Sequence, residues 1–154
     1  GFNTTQYWLL PTGAINTTIH DATIAMFGGT AVHASVKYYV ESAKLTPVKE
    51  GLNSTYVWFA TRTDTMIAAL SWTTVGKGHE DFFVIETFTE GNNLFLVMYG
   101  MDWLGTWAAG IYFKEVMSKN LSNYPNTYYV FHWVDDTKQD GVPQSSEIHL
   151  EASG

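Results

Sequence analysis

The sequence predicts an all-β domain, an antiparallel β-sandwich of about ten strands. Three observations predict it. Apolar and polar residues mostly alternate, the period of a strand with one face buried. Clusters of Gly, Pro, Asn and Asp interrupt that alternation every ~8–12 residues, the spacing of a sandwich or closed barrel. Aromatic residues make up 16% of the 154 residues and charged ones only 15%, which suits pleated faces packed by aromatic and β-branched side chains. A jelly-roll or immunoglobulin-like arrangement would accommodate such a pattern. Length predicts one domain over residues 1–154, and no linker, repeat or low-complexity stretch divides it.

The elements follow in order. Phe2 to Leu10 reads as a first strand, stopped at Pro11-Thr12-Gly13. Thr17 to Phe27 is a weaker second, closed by Gly28-Gly29. Ala31 to Leu45 reads as a long strand with Val32, Ala34, Val36, Tyr38 and Val40 on one face and His33, Ser35 and Lys37 on the wet one. Pro47 and Gly51 break the chain. Thr55–Arg62 and Thr65–Thr73 form a hairpin around Thr63-Asp64, followed by a Gly76-Lys77-Gly78 loop. Asp81–Thr89 and Leu94–Tyr99 flank Glu90-Gly91-Asn92-Asn93, a strong hairpin turn. Trp107–Val116, Thr127–Val134 and Ser145–Ala152 complete the strands. No segment shows a helical period.

Composition excludes several functions. The formal charge is −7, only eight residues are Lys or Arg, and Arg62 is the sole Arg. Phosphate backbones need clustered cations, so neither nucleic acid nor an anionic membrane surface is an expected partner. No apolar run approaches the ~18 residues of a membrane-spanning helix, so no membrane insertion is expected. With no Cys, disulfides, thiolate metal sites and covalent haem are absent.

Export is expected. The chain starts at Gly1 without Met, as a processed form would. Asn3, Asn16, Asn53 and Asn120 each head a glycosylation sequon. N-linked glycans are therefore expected, each on a loop or exposed strand end, with an extracellular or cell-surface location.

No nucleophile elbow, phosphate loop or carboxylate dyad is present, so no catalytic residue is assigned and the chain is not read as an enzyme. The pairs Glu80-Asp81 and Asp135-Asp136 read as solvated charges, since neighbours on a strand face opposite ways. Asp135 to Gly141 resembles a calcium loop only loosely, without its spacing or bidentate Glu. His and Met are the remaining soft ligands. His132 shares a face with Val130 and Val134, whereas His149 shares one with Glu147 and Glu151. Met98 follows Leu94 and Leu96, and Met101 comes just past Gly100.

From about Ala31 onward the order of features resembles the haem-b-binding β-sandwich of the ethylbenzene dehydrogenase γ-subunit type, a relative of DOMON cytochrome domains. The resembling stretches are Tyr56 to Ala60 with Asp64, Ile67 to Trp72, Asp81 to Ile85, Leu96 to Asp102 with Trp107, and Val130 to Asp136 through Gly141 to Leu150. The family's Trp-Asp-Pro-Thr-like turn reads Trp72-Thr73-Thr74 here, and Tyr99 interrupts its Met-Gly pair. The resemblance implies a DOMON-like fold, one non-covalent haem b and a redox partner. Met98 or Met101 would be one axial ligand, and His132, Lys138 or His149 the other.

Three functional classes follow. The first is an extracellular haem-b electron-transfer domain. The second is a structural subunit of a filament or surface layer, a homopolymer in which residues 1–10 add a strand to a neighbour. The third is a carbohydrate-binding module using exposed Trp8, Trp58 or Trp103, favoured if several Trp line one exposed face.

Overall fold

The computed structural model describes residues 9–17 and 22–154. Among them the chain is β-rich, with eight strands in two sheets. The larger sheet contains β1 (Thr23–Phe27), β5 (Glu80–Glu90), β6 (Asn93–Gly100), β7 (Tyr128–Val134) and β8 (Ile148–Ser153), in the order β1-β6-β5-β7-β8. The smaller contains β2 (Val48–Leu52), β3 (Tyr56–Thr61) and β4 (Met66–Ser71), in sequence order. Both expected hairpins form. β3 and β4 turn at Asp64, whose φ is 66°, and β5 and β6 turn at Gly91-Asn92, with Glu90 opposite Asn93.

Alternation along the larger sheet feeds two apolar clusters. Val84, Phe88, Phe95, Val97, Tyr99 and Val130 meet Val57, Phe59 and Leu70 of the smaller sheet in one cluster. Phe83, Ile85, Met98, Phe131 and Trp133 face the opposite way, into a cluster closed by the helix α2 (Trp103–Glu115) through Leu104, Ala108 and Ala109. The central strands are thus buried on both faces.

The structure corrects the sequence reading at five places. Strands number eight among the described residues, against about ten expected. Ala31–Leu45 is not a strand but a short helix α1 (Ala34–Lys37) running into a π-helical turn, Tyr38–Ser42. Val36, Tyr39 and Val40 are its buried apolar residues, so the three-and-four spacing overrode an alternation that fitted equally well, and Val32 is left 85% exposed. Trp107–Val116 is the body of α2. Val48–Leu52, read as broken by Pro47 and Gly51, is a strand: the indole of Trp58 lies over Gly51 and takes the place a side chain would occupy. Pairing is not wholly antiparallel, because β1 runs parallel to β6, Thr23 opposite Leu94.

Most of the strand expected over Phe2–Leu10, and with it the exchanged segment, lies outside the described residues. Leu9 forms a single bridge to Ile15.

Buried carboxylates tie the elements together. Glu86 of β5 accepts a hydrogen bond from Val48 N at 2.8 Å, linking the sheets. Its full burial pushes its carboxyl up to about 8, against the opposing pull of that N–H and of Arg62. Asp135 and Glu147 hold the loop before β8. Asp135 accepts from Gly141 N at 2.8 Å, and Glu147 accepts from Trp133 Nε1 at 3.2 Å and Thr137 N at 3.3 Å. Asp81 and Asp135 are therefore not the solvated charges expected of them; both are buried.

Candidate functional site

A cleft of about 350 Å³ opens where the end of β1 and the turn after it, the middle of β2 and the start of α2 come together. Its walls include Phe27, Val32, Glu50, Met101, Trp103 and Trp107.

The position of α2 is set by a contact that crosses the chain. The first N–H groups of a helix have no partner within it. Asp102 occupies the N-cap position but makes no side-chain cap. Asp81 of β5 takes that role: its Oδ2 accepts from Gly105 N at 2.7 Å and from Asp102 N at 3.0 Å. A carboxylate at a helix N-terminus is also favoured by the helix dipole. Burial nevertheless pushes the Asp81 carboxyl up to about 7, with the two N–H bonds pulling the other way. Gly105 permits the approach, since a Cβ there would stand 2.6 Å from Asp81 Oδ2. Gly100 is equally confined, against the Gly105 backbone.

With α2 so fixed, Trp103 and Trp107 stand one turn apart on its outer side. Their rings are nearly parallel, 15° between planes with centroids 6.1 Å apart. Both are exposed, Trp103 at 63%. Residues four apart on a helix share a face, so the pair is a consequence of the helix. Opposite stands Phe27, itself exposed, its ring tip close to Gly110, where a Cβ would lie 2.9 Å away. Exposed aromatic rings gathered at one concavity mark a binding surface.

Two carboxylates line the cleft, Glu50 and Asp102. Glu50 is half-buried on the same face of β2 as the core residue Val48, and its Oε2 accepts from Thr30 Oγ1 at 2.7 Å. Desolvation holds its carboxyl above the ordinary range, against that hydrogen bond. No Lys, Arg or His lines the cleft among the described residues.

The sequence-predicted residues are scattered by comparison. Met98 and Met101 are three positions apart and enter different clusters, Met98 toward α2 and Met101 toward the smaller sheet. His132 stacks on Phe82, ring centroids 4.1 Å apart, and its two ring nitrogens lie 3.1 Å from Glu80 and 3.6 Å from Glu151. His149 is opposite His132 on β8 and exposed. Lys138 is on the exposed loop before β8. Met101 N bonds to Phe82 O at 3.0 Å, so β5 and the Phe82 ring stand between Met101 and His132. Among the described residues no His or Lys lines the cleft holding Met101, and His132 Nε2 is within hydrogen-bond distance of Glu80 Oε2. His132, Lys138 and His149 do not line the cleft that holds Met101.

Asn53 and Asn120 are exposed. The Asn53 Oδ1 accepts from Thr55 N and Tyr56 N in the turn before β3. Asn16 is buried at 6% exposure, and Asn3 lies outside the described residues, as does Trp8. Trp58 is half-buried over Gly51 rather than presented to solvent. Of the two described Trp named as a platform, Trp58 does not line the cleft and Trp103 does. Its partner Trp107 and the carboxylate Glu50 were not singled out. The signal for Trp107 was the four-residue spacing from Trp103, legible only in a helix. Among the described residues no three side chains of His, Asp or Glu are grouped to hold a metal ion.

Comparison with family models, curated proteins and solved structures finds no match to the chain.

Proposed function

We propose that the chain is a carbohydrate-binding module and that the cleft at the start of α2 is its sugar site. One observation carries the reading: Trp103 and Trp107 present nearly parallel, exposed rings at a concavity that also holds carboxylates. The apolar face of a pyranose stacks on an aromatic ring, and its hydroxyls donate to fixed oxygen acceptors. Aromatic body and polar acceptors are the two components a small-ligand site needs for affinity and orientation. On this reading the two sheets form a sandwich around their shared cluster, with α2 as a third layer that carries the site. Export and glycosylation at Asn53 and Asn120 are compatible with a ligand met outside the cell.

The test is a screen of the folded chain against immobilised oligosaccharides, followed by a tryptophan-fluorescence titration with any that bind. Binding that shifts the emission and is lost in Trp103→Ala supports the reading. A chain that binds no oligosaccharide, or one whose binding ignores both Trp103→Ala and Trp107→Ala, would overturn it.

A further inference from the structure

We propose that the sugar taken by this cleft carries a free, protonated amine: the ligand is an amino-sugar oligomer. The inference rests on the carbohydrate reading and deepens it through charge. The cleft contains two carboxylates and, among the described residues, no cationic side chain. The nearby cations are turned elsewhere. Lys49, which neighbours Glu50, pairs with Asp64. Arg62 donates to Thr46, through Nε to its carbonyl at 2.6 Å and through its other guanidinium nitrogen to its hydroxyl.

Glu50 is held in place rather than swinging in solvent. It is half-buried on the same face of β2 as Val48, opposite Phe59, and the Thr30 hydroxyl donates to one of its oxygens. A ring-borne ammonium here would meet a fixed counter-charge. It would also lie near the indole faces of Trp103 and Trp107, where a cation is attracted by the ring quadrupole. The same arrangement repels carboxylated or sulfated sugars, and the net charge of −7 adds to that repulsion at a distance. An N-acetylated sugar presents a neutral amide and gains neither attraction.

The experiment compares matched oligomers on the intact chain: β-linked glucosamine, N-acetylglucosamine, glucose and galacturonate, each of the same length, by calorimetry or fluorescence. The glucosamine oligomer is expected to bind on the order of tenfold tighter than its N-acetylated counterpart, and galacturonate not at all. Glu50→Gln should erase that tenfold preference while leaving residual affinity. Because a substitution at a half-buried position could perturb folding, salt supplies a second measure on the unaltered chain. Raising ionic strength should weaken glucosamine binding and leave glucose binding unchanged. Equal or tighter binding of the neutral oligomers, or salt-independent binding of glucosamine, would overturn the amine inference and leave the sugar site standing. Failure of all four to bind the folded chain would overturn the amine inference; if the oligosaccharide screen also finds no binder, the sugar reading falls with it.

Discussion

Gly105→Ala puts local propensity and tertiary packing in direct opposition. By propensity alone, Ala in place of Gly inside a helix stabilises by about 1 kcal/mol. The structure predicts the opposite sign. A Cβ at position 105 would stand 2.6 Å from Asp81 Oδ2, 2.7 Å from its Cγ and 2.8 Å from the Phe82 carbonyl oxygen. All three are well inside the ~3.5 Å optimum for non-bonded heavy atoms. Neither neighbour can step aside cheaply. Asp81 is 1% exposed and pinned by two N–H groups, and the Phe82 carbonyl accepts from Met101 N. Overpacking of this kind costs roughly 1–3 kcal/mol, and weakening a buried N–H to carboxylate bond adds about 1.5–3 kcal/mol. Net of the propensity gain, the loss is about 1.5–5 kcal/mol. For a chain of this size that lowers the melting temperature by roughly 3–20 °C. Urea unfolding followed by circular dichroism measures it directly. A variant as stable as the parent, or more so, would refute the claim that Asp81 and Gly105 dock α2.

Other outcomes follow from the same structure. Glu86 and Asp81 have folded-state values raised to about 8 and about 7, so the folded chain keeps protons that the unfolded chain releases near pH 4. Their contribution is complete below about pH 4 and is lost progressively as pH rises from there through the folded values of about 7 and about 8. Stability from urea unfolding should therefore be higher at pH 5 than at pH 9, by several kcal/mol, and Glu86→Gln should flatten that slope. Gly51→Ala should displace the Trp58 indole, whose ring atoms would lie 2.5 Å from the new Cβ; tryptophan emission should move to the red with a loss of about 1–2 kcal/mol. Made in a glycosylating host, the chain should carry glycans at the exposed Asn53 and Asn120 and none at buried Asn16, a distribution that peptide mass spectrometry reads.

What the sequence disclosed was whatever local chemistry decides. The β5–β6 hairpin needs only Gly91-Asn92 between alternating runs. β3–β4 needs only Asp64, a residue type that tolerates the left-handed backbone region. Helix α2 was hidden because both of its sides are apolar. Leu104, Ala108 and Ala109 face the sheet while Trp103 and Trp107 face the cleft, so no period separates core from solvent. Its capping group sits 24 positions upstream of Gly105, beyond the reach of any local start signal. The segment before Leu45 was ambiguous in a different way, since its apolar spacings satisfy both periods until Tyr39 is known to be buried. Because the cleft depends on where α2 and the turn after β1 fall, Trp103 and Met101 were named beforehand without the cleft that joins them. The separation of Met98 from Met101, by contrast, was available from their odd spacing alone.

The parallel strand β1 also constrains the order in which the molecule can assemble. Its partner β6 begins some 70 positions later, with Thr23 opposite Leu94, while β5 and β6 need only a tight turn to meet. Non-local pairings bear the entropy of closing a long loop before any contact rewards it. The β5–β6 hairpin and its neighbours should thus form while β1 is still unattached and the flank of β6 lies open. That flank, Leu94 to Met98, is an uncovered template for another chain until β1 arrives. Phe27 at the tip of β1 also forms one wall of the cleft, so the binding site is completed by the same late event that seals the sheet.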